Sequence, residues 1–203
     1  QMIEQGEIPS VPIYVDSPLA INASQIFNEH PECMDAETLA DIRKRGHAAL
    51  DFKEITYTRS VEESKAINEY REPAVIISAS GMAEAGRILH HLRNNIENPR
   101  NTILIVGWQA PHTLGRRLAD RETKIKIFGE KFIRKAEVET IGGLSAHAGR
   151  ELLVEYASAV KDQVQKVFLV HGEERGALPL KKELDMKGFK EVIYPEAQST
   201  FEI

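Results

Sequence analysis

Cysteine is almost absent from this chain: Cys33 is the only one among 203 residues. A lone thiol excludes an intrachain disulfide framework and fits a reducing, intracellular setting. Long apolar runs are lacking as well, and none approaches the roughly 18 residues of a membrane span. Residues 1–7 (QMIEQGE) have neither the basic start nor the apolar stretch of a secretory signal. The sequence therefore reads as a soluble, cytoplasmic protein without a membrane partner. Gln1 is no initiator, and the opening stretch reads as if the chain were cut within a helix. Also missing are Cys-x-x-Cys, a Walker lysine loop and Gly-x-Gly-x-x-Gly. Gly143-Leu144-Ser145-Ala146-His147 lacks the final glycine of a nucleophile elbow.

What charge there is lies unevenly. The formal net charge is −5, which excludes a uniformly basic surface. Between Gly81 and Lys135, however, eleven lysines and arginines face five acids, +6 locally against −11 elsewhere. Such asymmetry marks either a phosphate-facing surface or charged helix faces.

The pattern alternates short β-rich runs with helical stretches. Val11–Asp16 is an apolar run ending at Ser17-Pro18, a cap and first-turn pair that starts a helix lasting to His30-Pro31. A second, charged helix is expected from Asp35 to about Ala49, a weak strand over Phe52–Tyr57 and a helix over Ser60–Glu69. Ala74–Ser78 reads as a central strand, apolar on both faces. A helix containing Met82, Ile88, Leu89, Leu92 and Ile96 follows it, and Thr102–Trp108 is the next strand, completing a strand–helix–strand crossover. A similar unit closes the chain: strand Lys166–Val170, helix Leu178–Lys187, strand Glu191–Tyr194. The expected class is α/β, a mostly parallel sheet flanked by helices.

In open parallel sheets, ligands bind beyond the carboxyl ends of the strands. Three stretches place polar groups there. Ser80 and Gly81 stand before the expected helix, where bare N–H groups and the helix dipole favour a phosphate, although plain capping uses the same residues. Thr113, Gly115 and Arg116 open another helix, with a guanidinium able to grip a phosphate by two donors, or simply an exposed arginine on a loop. Trp108 reads as core, with base stacking the alternative. Ser145 is expected to cap a helix beside His147, and His171 follows a strand directly. Imidazoles at element ends suit either metal binding or proton transfer. His90 and His91 are helical neighbours pointing about 100° apart, so they share no metal face. His30, His47 and His112 acquire no role.

Taken in order, Ile13-Tyr14-Val15-Asp16-Ser17-Pro18-Leu19-Ala20, Ser78-Ala79-Ser80-Gly81-Met82, Leu144-Ser145-Ala146-His147 and Leu169-Val170-His171-Gly172-Glu173 resemble the β-CASP nucleases. These are metallo-β-lactamase-fold enzymes that process RNA and DNA, including the pre-mRNA 3′-end endonuclease; Gly107–Arg117 and Phe128-Gly129-Glu130 are similar to the bacterial and archaeal members. The resemblance spans nearly the whole chain. It implies a β-CASP domain over residues 1–127 and the returning C-terminal part of a metallo-β-lactamase domain over 128–203. It implies that His147 is catalytic, protonating the leaving oxygen, and that His171 is a ligand of one of two zinc ions. Ser80, Gly81, Thr113, Gly115, Arg116 and Ser145 are implied to hold the phosphates of single-stranded RNA. The family's His-x-His-x-Asp-His signature is absent here. Zinc needs three or four protein ligands, so the resemblance implies a fragment that binds no catalytic metal and cleaves nothing alone. Its expected partners are RNA and an N-terminal lactamase half of the same chain, and a homodimer stays open. Two rival readings are a metal-free RNA-binding or scaffolding homologue and a nucleotide-binding α/β domain.

Overall fold

The computed structural model describes all residues except 1, 4, 47, 49, 146 and 203. The expected end of the second helix at Ala49, together with His47 and Ala146, lies outside the described residues. Two compact units divide the chain, Gln1–Ser145 and Ala146–Ile203.

In the first unit, β1 (Ile13–Asp16) is the middle strand of a parallel sheet. It lies between β2 (Ile55–Tyr57) and β3 (Val75–Ser78). The first three helices begin where the sequence supplies a polar cap. The Ser17 hydroxyl accepts from Ala20 N–H to start α1 (Pro18–Glu29), and Asp35 accepts from Thr38 N–H to start α2 (Ala36–Arg45). Ser60 and Glu63 form a reciprocal capping box at α3 (Val61–Ile67). Then come α4 (Ile88–Asn95), β4 (Thr102–Ile105), α5 (Leu114–Ala119), the hairpin of β5 (Lys124–Ile127) and β6 (Glu130–Ile133), and β7 (Glu137–Thr140). The β7 strand pairs in parallel with β4. Leu92, Ile96, Leu114, Leu118, Ile125 and Ile127 form the core where α4, α5 and the hairpin meet.

The second unit comprises α6 (Arg150–Ser158), β8 (Val167–Phe168), α7 (Glu174–Met186) and β9 (Val192–Ile193). Its β8 and β9 pair in parallel around α7, the closing strand–helix–strand unit expected from sequence. Val154, Leu184, Phe189 and Val192 are its core. Parallel strands and covering helices make the chain α/β.

Several local expectations are corrected. The helix expected near Met82 starts only at Ile88. Residues 79–87 instead turn back on themselves, with Ser80 N–H donating to Ala85 O at 3.0 Å and Gly86 in the left-handed region at φ 83°. Ser80 and Gly81 therefore do not stand at a helix start, and the dipole argument for them lapses. The expected pairing of Ala74–Ser78 with Thr102–Trp108 is absent among the described residues: β3 bonds β1, whereas β4 bonds β7. Being a sheet edge, β3 leaves Val75 and Ile77 45% and 50% exposed rather than buried on both faces. Trp108 is not core; it is 53% exposed. Gly149, not Ser145, occupies the N-cap of α6.

Gly86 combines a positive φ with a close approach. A Cβ there would lie 2.5 Å from the Ala79 carbonyl oxygen, whereas Gly46, at φ 76°, meets nothing within 4 Å. Gly46→Ala is therefore expected to cost about 1 kcal/mol, the left-handed penalty alone, and Gly86→Ala at least about 2 kcal/mol more. Urea unfolding of the two variants measures the difference, and equal costs would contradict it.

Candidate functional site

At the carboxyl end of β1, Asp16 has no solvent exposure, yet its carboxylate is fully engaged. Oδ1 accepts from the Thr58 hydroxyl at 2.5 Å and from Arg87 Nη1 at 2.7 Å. Oδ2 accepts from the Ser64 hydroxyl at 2.6 Å and lies 2.6 Å from His91 Nε2. The Asp16 main-chain carbonyl accepts from the Ser78 hydroxyl at 2.9 Å. Arg87 reaches further, donating to Thr58 O at 3.1 Å and Arg59 O at 2.8 Å, while His91 Nδ1 lies 3.0 Å from Asn68 Oδ1. Burial pushes the Asp16 carboxyl up, but the hydrogen bonds from Ser64, Thr58, His91 and Arg87 outweigh it and hold it at about 2. This anion fastens the end of β1 to the loop before α3 and to the first two turns of α4.

Arg87 also ends the segment that carries Ser80 and Gly81, so the network anchors that segment at one end. The other anchor comes from the loop after β4. Gln109 Nε2 donates to Gly81 O and Gly107 O, both at 3.1 Å, and Gly115 N–H donates to Met82 O at 2.9 Å. Gly115 is required here, because a Cβ would lie 2.9 Å from that carbonyl and run into the Gln109 carboxamide. Ser80 and Gly81 are thus laced to the loop after β4 and the first turn of α5, where Thr113, Gly115 and Arg116 stand.

Their polar groups are largely used within the protein. The Glu84 carboxylate accepts from Leu114 N–H at 2.5 Å, Met82 O from Gly115 N–H, and the Thr113 hydroxyl from Arg116 N–H at 3.1 Å. None of those three N–H groups is bare. The Arg116 guanidinium lies on Asp120, with Nε at 2.9 and 3.1 Å from its carboxylate oxygens. Ser145 is exposed at the end of the first unit, its N–H donating to Gly142 O at 3.4 Å.

His147 and His171 belong to the second unit, and both are exposed. His171 has φ 62°, a left-handed conformation that a non-glycine residue takes at a cost. Its turn is fixed from behind, since the Tyr194 hydroxyl donates to Gly172 O at 2.9 Å. Among the described residues no group of three or more His, Cys, Asp or Glu side chains could hold a metal ion. Nor is any helix among them long and apolar enough to cross a membrane.

Two domain families match in succession: the β-CASP domain over residues 1–118 and the Zn-dependent metallo-hydrolase RNA specificity domain over 133–195. The chain belongs to the β-CASP family. Among curated β-CASP relatives, it is 35% identical over 185 residues to ribonuclease TTHA0252 of Thermus thermophilus, covering 89% of this chain and 41% of that protein. It is 30% identical over 185 residues to the transcription termination factor FttA of Methanosarcina mazei, covering 89% and 29%. With FttA of Pyrococcus abyssi the identity is 31% over 181 residues, covering 87% and 28%. The chain thus spans less than half the length of these relatives.

Sequence reasoning gave Asp16 itself no role, reading its segment as an apolar run before a helix cap and as one of the family's motifs. Its usable signal was an acid ending an apolar strand at the ligand edge of a parallel sheet. His91 faces that edge and His90 does not; the His90 ring lies against Phe128, 4.8 Å between centroids.

The folded value of Asp16 lies below its ordinary 3.8. Its stabilisation is therefore fully present above about pH 4 and lost as the pH falls through about 2, worth about 2 kcal/mol. Asp16→Asn removes the charge facing Arg87 and is expected to cost about 3 kcal/mol at neutral pH. In that variant the acid-dependent loss should flatten, as urea unfolding across the pH range would record. A variant as stable as the parent would contradict the network's role.

Proposed function

We propose that this chain is the substrate-holding and C-terminal part of an RNA phosphodiester hydrolase, with residues 1–127 forming the β-CASP domain and 128–203 returning to a lactamase-type domain. The observation that carries the reading is His171, exposed and held in a left-handed turn that Tyr194 braces. Strained backbone of this kind concentrates at functional sites, where surrounding structure fixes it.

In this reading the laced segments at Ser80–Gly81 and Thr113–Arg116, with Ser145, present single-stranded RNA by its phosphates. For Arg116 this requires the guanidinium to leave or share Asp120. His147 protonates the departing oxygen as general acid, a task suited to an imidazole near neutral pH. The second matched family is described as Zn-dependent, but the described residues do not fit a zinc site by themselves, since no three ligating side chains cluster. His171 is offered as the one ligand this chain contributes to a longer protein, and the 203-residue chain alone is expected to be inactive.

In such a longer protein, His147→Ala should lower RNA cleavage by about 10²-fold or more. His171→Ala should lower cleavage and also the bound zinc measured by elemental analysis, which His147→Ala should leave in place. Cleavage untouched by His171→Ala would overturn the proposal.

A further inference from the structure

We propose that the outer face of the β5–β6 hairpin, carrying Lys124, Lys126 and Lys131, is a docking surface for the phosphate backbone of single-stranded RNA; this rests on the RNA reading above. Lys126 and Lys131 are direct cross-strand partners in the antiparallel ladder. Like charges placed opposite one another on a sheet destabilise it. The hairpin cannot escape them by shifting. Phe128 and Gly129 form its two-residue turn with φ 51° and 80°, the mirror-image turn geometry that fixes hairpin register. On the opposite face Ile125 and Ile127 are 1% exposed in the core, and a slip of one residue would turn them to solvent.

Three neighbouring arginines are ion-paired where these three lysines are not. Arg93 pairs with Glu130 at 3.0 Å, Arg116 with Asp120 at 2.9 Å and Arg117 with Glu122 at 2.9 Å. The Arg134 guanidinium is spent on the carbonyls of Arg121, Glu122 and Ala136. Lys124, Lys126 and Lys131 are exposed, and their ammonium groups make no ion pair or hydrogen bond among the described residues. The hairpin holds three unpaired ammonium groups on one face, Lys124 and Lys126 along β5 and Lys131 across from Lys126 on β6, a cluster of cations suited to the anions of a phosphate backbone. Point charges of this kind read backbone rather than base sequence.

The test is binding of the 203-residue chain to a labelled single-stranded oligoribonucleotide, titrated at several salt concentrations. Replacing all three lysines by alanine should reduce the slope of log K against log salt by about 2, and weaken binding about 10²-fold near 0.1 M salt. Lys126→Glu should weaken binding while leaving the unfolding temperature unchanged or about 1 °C higher, because it turns a repulsive cross-strand pair into an attractive one. That opposition of affinity and stability is not expected of lysines serving only solubility or folding. If the parent chain binds RNA and the variants match its affinity and salt slope, this surface is wrong and the RNA reading survives. If the parent chain binds no RNA, both fall together. If an acidic polypeptide competes for the hairpin while RNA affinity is unchanged in the variants, the occupant is a protein and the proposal is overturned.

Discussion

A carboxylate removed from water must be matched by donors or the fold loses several kcal/mol. Asp16 meets that demand with four side chains drawn from the loop before α3, from α3 itself and from the start of α4. The arrangement at the carboxyl end of β1 follows from it. Arg87 is held by the anion and in turn holds the carbonyls of Thr58 and Arg59, so three segments far apart in sequence share one fixed point. Truncating Arg87 would leave the buried carboxylate without the cation that faces it.

From this point outward the order passes through main chain. The segment between Ala79 and Arg87 is closed by its own turns and by three hydrogen bonds from the loop after β4 and the start of α5, through Gln109, Leu114 and Gly115. Core packing of Leu114 and Leu118 beneath that loop seats α5 and fixes where the Gly115 N–H points. The β5–β6 hairpin rests on the same core through Ile125 and Ile127. Hydrophobic burial and polar lacing thus act on one body, and its outer surface carries the chain's local excess of positive charge.

Much of this was legible in the sequence where the cause is local. Ser17-Pro18, Asp35 and Ser60 announce α1, α2 and α3, because a cap acts within three residues of itself. The closing strand–helix–strand unit was legible from apolar runs and turns, and ordered motifs carried the family. What escaped depended on distant partners. Asp16 pairs with Arg87 and His91 more than seventy positions away, which no spacing rule records. The apolar run from Met82 to Ile96 looked helical throughout, but Gly86 and the Met82 carbonyl bound by Gly115 make its first part a turn. Trp108 was assigned to the core by its chemistry, although its place beyond β4 leaves half of it in solvent. For the site itself, only Ser80, Gly81, Thr113, Gly115 and Arg116 among the named residues are brought together, between the turn after β3 and the start of α5. The sequence could not show that Glu84, Met82 and Asp120 already occupy many of their polar groups.

The most direct test of the central claim compares ligands on the 203-residue chain without added metal. Thermal unfolding and direct titration would be followed with single-stranded RNA and, separately, with mononucleotides. The account predicts salt-sensitive binding and stabilisation by RNA, with no cleavage and little response to mononucleotides. A clear mononucleotide response with none to RNA would contradict it, and would make this β-CASP chain a small-nucleotide binder.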